Sequence, residues 1–276
     1  MSTDTKRVVY RLPDMDTVSV RCDLSYKPDR HPDLTMDVYS PRGGKDSDRR
    51  PAVLFVHGEI PPRAVPHVKS WGQYVSWGPL AAASGMIGVT FNHRSTERYT
   101  TFRDAIEDID DLIAYVRDNA DEFKIDADRL GIWTCSAGAY LGLRAAFHNA
   151  PASIRCVVSY YGIMDIGHYR SVEDTAAARR IPDDLSPLHH LDQHPDPVPP
   201  MLLVRAGGDR PQLNATFDWF LTECLARNLD LECMNHSEAP HAFDVLDDSK
   251  RSTEIIHRTL EFLTTRLVRE LDSAGD

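Results

Sequence analysis

Residues 130–143 read Leu130-Gly131-Ile132-Trp133-Thr134-Cys135-Ser136-Ala137-Gly138-Ala139-Tyr140-Leu141-Gly142-Leu143. An apolar run gives way to small residues and then to an alanine- and leucine-rich stretch, which predicts a strand, a tight turn and a helix. Ser136 stands at the corner. A serine forced into such a turn exposes its hydroxyl at the C-terminal end of the strand, beside the positive end of the following helix. The G-x-S-x-G pattern that builds this turn is met in part: Gly138 fills the second glycine position, while Thr134 occupies the first. Centring the turn on Cys135 instead would put Trp133 at a crowded small-residue position, where an indole does not fit. Ser136 is therefore the candidate nucleophile; the plain alternative is a turn serine that bonds only its own backbone.

Outward from this stretch, continuous apolar runs at Ala52 to Val56, Met86 to Phe91, Leu130 to Thr134, Cys156 to Tyr161, Met201 to Ala206 and Leu231 to Met234 alternate with helical periods. That is how a parallel sheet covered on both faces reads. Ala105, Ile109, Leu112 and Val116 recur at helical spacing, as do Leu213, Phe217, Phe220, Leu221 and Leu225, and Ile255, Ile256, Leu260 and Leu263 mark a last helix. Before them, Thr17 to Tyr26 alternates strictly and predicts a half-buried strand. It pairs antiparallel with a second alternating run, Leu34, Met36 and Val38, across the turn-rich Pro28 to Asp33. Arg42 to Pro51 reads as a loop. The expected architecture is one α/β domain over residues 1–276, with a mostly parallel central sheet, an antiparallel N-terminal edge and an insertion at about 163–200. Prolines 182, 187, 195, 197, 199 and 200 break that insertion, which reads as a cap over a site.

Composition narrows the functions. Acidic side chains exceed basic ones by 42 to 31, giving a net charge of -11, the wrong sign for a nucleic-acid partner. The five cysteines, Cys22, Cys135, Cys156, Cys224 and Cys233, are odd in number and lack a C-x-x-C pair, so neither a disulfide framework nor a zinc site is expected. With no apolar leader in Met1 to Tyr10 and no stretch near the roughly 18 apolar residues of a membrane span, a cytoplasmic protein is expected.

A serine hydroxyl is a weak nucleophile and needs a base that is itself oriented by an acid. The run Met201 to Ala206 ends in Gly207-Gly208-Asp209, and the run Leu231 to Met234 leads into Ser237-Glu238-Ala239-Pro240-His241-Ala242-Phe243-Asp244. The chain order is then serine, acid, histidine, with Ser136, Asp209 and His241 as the candidate catalytic residues. Asp244 is a competing acid, but it follows His241 on the same loop and is poorly placed to orient it from behind. His57 precedes the nucleophile and reads as structural. His189, His190 and His194 gather near Asp192, yet no metal-ligand spacing accompanies them, so no metal is expected. Trp71, Tyr74 and Trp77 read either as packing of a long loop or as a wall facing substrate, and Arg94 as a residue near the site or one holding a surface carboxylate.

These pieces together resemble the α/β-hydrolase superfamily, in its dienelactone-hydrolase-like and acetyl-esterase-like branch. The matching segments are Val56-His57-Gly58, Phe91-Asn92-His93-Arg94, the turn around Ser136, Ser159-Tyr160-Tyr161-Gly162, Gly208-Asp209 and Pro240-His241-Ala242-Phe243. The resemblance implies the α/β-hydrolase fold and triad roles for Asp209 and His241. It also implies an oxyanion hole. One donor is expected from the backbone N–H of Ala137 and the other from Glu59, in the loop after the Ala52 to Val56 strand, where relatives carry further small residues. The expected activity is hydrolysis of a carboxylic ester of a small or medium-sized molecule, without a cofactor. Peptide cleavage, acyl transfer and a non-catalytic binding role stay open on the same fold, as does association of identical chains.

Overall fold

The computed structural model describes residues 3–43, 48–96, 101–148, 153–173, 176, 179, 182–193 and 198–269. Eight strands form one sheet: β1 (Ser19–Ser25), β2 (Thr35–Ser40), β3 (Arg50–Val56), β4 (Ile87–Phe91), β5 (Ile125–Cys135), β6 (Ile154–Tyr160), β7 (Met201–Ala206) and β8 (Leu231–His236). Their order across the sheet is β1-β2-β4-β3-β5-β6-β7-β8. The β1–β2 and β2–β4 pairs are antiparallel and all the others parallel. This is the α/β-hydrolase fold that the apolar runs and the N-terminal alternation predict. The helices are α1 (Tyr74–Ala83), α2 (Phe102–Asp118), α3 (Ala120–Phe123), α4 (Gly138–His148), α5 (Ile166–Glu173), α6 (Pro187–Gln193), α7 (Pro211–Ala226), α8 (Phe243–Leu246) and α9 (Lys250–Thr264).

Three expectations need correction. β1 is largely exposed rather than half-buried: it is the outermost strand, and a bulge between Arg21 and Leu24, with Asp23 at φ +58°, breaks the alternation that Val18 to Tyr26 shows on paper. The segment bearing Tyr74 and Trp77 is the helix α1, not a loop, and it packs into the core: Trp77 is fully buried and lies 5.1 Å from the Trp133 ring. Gly78-Pro79 masks its helical period. In α7 the buried row ends on Cys224, while Leu225 faces outward.

The hairpin turn between β1 and β2 is fixed to α2 by buried charge. Lys27 Nζ lies 2.8 Å from Asp108 Oδ1, both side chains being at most 1% exposed. Asp108 also accepts hydrogen bonds from the Arg94 backbone N–H at 2.8 Å and from its guanidinium at 2.8 and 2.9 Å. Arg94 thus belongs to α2's carboxylates. Burial alone would raise the Asp108 carboxyl, but the hydrogen bonds from Arg94 and Lys27 outweigh it and hold the group below its ordinary range. Breaking one side of such a pair strands the other charge, so Asp108→Asn is expected to cost about 3–5 kcal/mol in urea unfolding at neutral pH. Because the folded-state value is depressed, this contribution is complete above the ordinary carboxylate range and fades as pH falls through the lowered one. A loss below ~1 kcal/mol would contradict the account.

Between β6 and β7, in the stretch expected to be inserted, α5 packs on α7 and α6 packs on α4. His190 is buried there, its imidazole pushed down to about 4 by burial first and then by Arg144. His189 is exposed, and Asp192 pairs with Arg227 at 2.9 Å. His194 lies outside the described residues. Among the described residues no group of three His, Cys, Asp or Glu side chains is arranged to hold a metal ion, and no helix is long and apolar enough to cross a membrane.

Candidate active site

Ser136, Asp209 and His241 follow the C-terminal ends of the parallel strands β5, β7 and β8. β5 delivers Ser136 into the left-handed region at φ +53°, a conformation that costs a non-glycine residue free energy and persists only where the surroundings enforce it. Three backbone bonds do so: the Ser136 N–H donates to Tyr160 O at 3.0 Å, and its carbonyl accepts from Ala139 at 3.1 Å and Ile163 at 3.0 Å. Thr134, the departure from the usual pattern, is accommodated from across the turn. A Cβ added to Gly142 of α4 would stand 3.0 Å from the Thr134 Cβ, so room taken by the threonine is released by a glycine one helical turn past Gly138.

The loops bearing Asp209 and His241 are joined before their side chains meet. Gly207 N–H donates to His236 O and Gly208 N–H to Ala239 O, each at 2.8 Å. A Cβ at Gly207 would fall 2.3 Å from the Ser237 carbonyl oxygen, so a residue without a side chain is required there. His241 Nδ1 then lies 2.5 Å from Asp209 Oδ2, and its Nε2 lies 3.0 Å from Ser136 Oγ. The Asp209 side chain is 3% exposed and that of His241 34%, so the acid is shielded while the base borders solvent. The structure therefore brings Ser136, His241 and Asp209 into one hydrogen-bonded chain. The neutral tautomer that carries its proton on Nδ1, toward the carboxylate, leaves Nε2 to accept from Ser136 Oγ.

Asp244 is elsewhere. It is fully buried and accepts from Trp77 Nε1 at 2.9 Å, Gln73 Nε2 at 2.8 Å and Tyr161 Oη at 2.7 Å. Cys135 is also buried, its thiol pushed up to about 12 by burial first and then by the Asp244 charge.

The loop after β3 lies over the turn: a Cβ on Gly58 would stand 3.0 Å from the Ser136 Cβ. His57 and His93 are buried and stacked, with centroids 3.5 Å apart and planes 2° from parallel. Burial first, and then the mutual proximity of the rings, pushes His57 well below the ordinary histidine range, so it is neutral. Its Nδ1 donates to Gly58 O at 2.7 Å, and its Nε2 accepts from the His93 N–H at 3.3 Å. In a trans peptide the carbonyl and the next N–H point in opposite directions, so pinning Gly58 O also fixes the aim of the Glu59 N–H. The Glu59 carboxylate is turned to Ser95 Oγ, at 2.9 Å, and to Thr96 Oγ1, across to the loop that follows β4. On the other side of the turn, no hydrogen bond among the described residues uses the Ala137 N–H.

A nucleophile turn, a histidine loop and an acid loop at the C-terminal edge of an eight-stranded sheet define the α/β-hydrolase class. Within it, the model of the BD-FAE family, an esterase family of the α/β-hydrolase type, matches residues 36–186, more than half of the chain, and the chain belongs to that family. Similar solved structures include esterase B from Lactobacillus rhamnosis, with a TM-score of 0.73 at 15% identity, covering 96% of this chain and 91% of that one. Esterase 2 from Thermogutta terrifontis superposes with a TM-score of 0.70 at 20% identity over 96% of this chain and 97% of its own. The same enzyme phosphonylated by sarin gives 0.70 at 20% identity over 94% and 98%. No curated protein sequence matches the chain.

Proposed function

We propose that the chain is a carboxylic-ester hydrolase of small or medium-sized substrates, working through an acyl-enzyme on Ser136. The observation that carries this reading is the bridging imidazole of His241, 3.0 Å from Ser136 Oγ and 2.5 Å from Asp209 Oδ2. As Oγ attacks the ester carbonyl, Nε2 takes its proton, and Asp209 stabilises the imidazolium and keeps the tautomer. The carbonyl oxygen, now anionic, is held by the N–H groups of Ala137 and Glu59. Collapse breaks the ester C–O bond, and the imidazolium protonates the departing alcohol. Water then gives a proton to His241 and attacks the acyl carbon; collapse breaks the acyl C–Oγ bond, His241 returns the proton to Oγ, and the acid leaves, restoring Ser136.

We further propose that the chain acts as a single domain whose insertion at about 163–200 serves as a cap. It starts at the turn itself, through the Ile163 bond to the Ser136 carbonyl. With its five free cysteines, we assign it to the cytoplasm. The test is reaction with a fluorophosphonate probe and peptide mapping of the adduct, followed by a series of p-nitrophenyl esters graded by acyl length. A stoichiometric adduct on Ser136 and turnover of the shorter esters are expected; an unlabelled Ser136 would overturn the reading.

A further inference from the structure

Asp244 has no part in the steps above, yet it sits three residues beyond His241 and is one of the most completely enclosed carboxyl groups in the chain, at 0% exposure. Enclosing a carboxylate costs several kcal/mol unless its oxygens are bonded. Here they are: Oδ2 takes Trp77 Nε1 and Gln73 Nε2, and Oδ1 takes Tyr161 Oη. The donors come from α1, from the residue preceding it and from the residue after β6, so one carboxyl group joins the start of α1 and the end of β6 to the histidine loop. Gln73 Nε2 also donates to Tyr161 Oη at 2.9 Å, closing the network.

Tyr161 is the informative member. Its backbone is at φ +39°, an uncommon conformation for a bulky residue, and its N–H is fixed to Val204 O at 2.9 Å. Its side chain is buried, and its ring centroid lies 4.7 Å from that of His241, the planes 58° apart. The imidazole thus meets Asp209 at Nδ1, Ser136 at Nε2 and the Tyr161 ring. Asp209 bonds the ring at Nδ1, and the Tyr161 ring lies against it as a further, non-polar contact.

Resting on the assignment of His241 as the base, we propose that Asp244 and Tyr161 are positioning residues for its imidazole, the carboxylate anchoring the tyrosine whose ring holds the histidine in line with Ser136. Tyr161→Phe keeps the ring and removes only the anchor. In the folded variant, kcat for p-nitrophenyl acetate is expected to fall on the order of tenfold, with KM within about twofold, since misplacement of a catalytic group is felt in the transition state. Asp244→Asn, where it folds, should fall at least as far. The double variant should be no worse than Asp244→Asn alone, because Asp244→Asn already alters the one bond that Tyr161→Phe removes. An unchanged kcat in Tyr161→Phe, or a loss seen only in KM or melting temperature, overturns the proposal.

A second readout needs no substrate. The proton between His241 Nδ1 and Asp209 is expected to give a low-field NMR resonance, which Tyr161→Phe should broaden or move; an unaltered resonance also overturns the proposal. Failure of the probe to label Ser136 in the unaltered chain would instead strike the esterase reading, and this measurement would still decide the role of Tyr161.

Discussion

Ser136→Ala is expected to abolish ester turnover, with a loss on the order of 10⁶-fold, the scale on which removing a serine nucleophile acts in a hydrolytic triad. The fold should survive, because the turn is held by backbone bonds to Tyr160, Ala139 and Ile163 that an alanine keeps. Circular dichroism and melting temperature of the purified variant check that point. The neighbouring thiol supplies the control. Cys135 is buried, with Tyr74 Oη 3.7 Å from its sulfur, and its raised titration range keeps it a neutral thiol at working pH. Cys135→Ala should therefore retain much of the activity; the reverse pattern would move the nucleophile to the cysteine.

Asp209→Asn should cost on the order of 10⁴ in kcat, the magnitude of the same change in a serine protease triad. The amide keeps the size of the side chain but loses the charge that selects the Nδ1–H tautomer and stabilises the imidazolium. Its Oδ2 stands 2.5 Å from His241 Nδ1, whereas the bonded partners of Asp244 are Trp77, Gln73 and Tyr161. A loss below tenfold in steady-state assays of the folded variant would mean that another carboxylate orients the base.

Much of this was legible in the sequence for a simple reason. In a parallel sheet with both faces covered, strands are continuous apolar runs, and functional loops begin where those runs stop. Ser136, Asp209 and His241 each follow such a run within a few residues, so their arrival at one edge could be read from order alone. The helix α1 could not, because Gly78-Pro79 interrupts its period and its buried faces are set by Phe55 and Trp133, which lie far away in sequence. Nor could the exposure of β1, since alternation reports a strand but not whether anything covers it. The anchoring of Tyr161 by Asp244 was hidden for the opposite reason. An acidic residue between Phe243 and Val245 was visible, but its donors lie up to 171 residues away. The signal available was an acid framed by core hydrophobes. The turning of the Glu59 carboxylate to Ser95 and Thr96 was likewise beyond any local pattern.

The strand order on the far side of β5 runs β5-β6-β7-β8 in chain order, which gives the site a timetable during synthesis. On the proposed assignment, Ser136 leaves the ribosome 105 residues ahead of His241. At ~5–20 residues per second, this interval is roughly 5–20 s. Throughout it the proposed nucleophile stands without its proposed base. On that assignment, a prematurely terminated product ending before His241 would carry no acyl-transfer chemistry, although β5 and the Ser136 turn are already made.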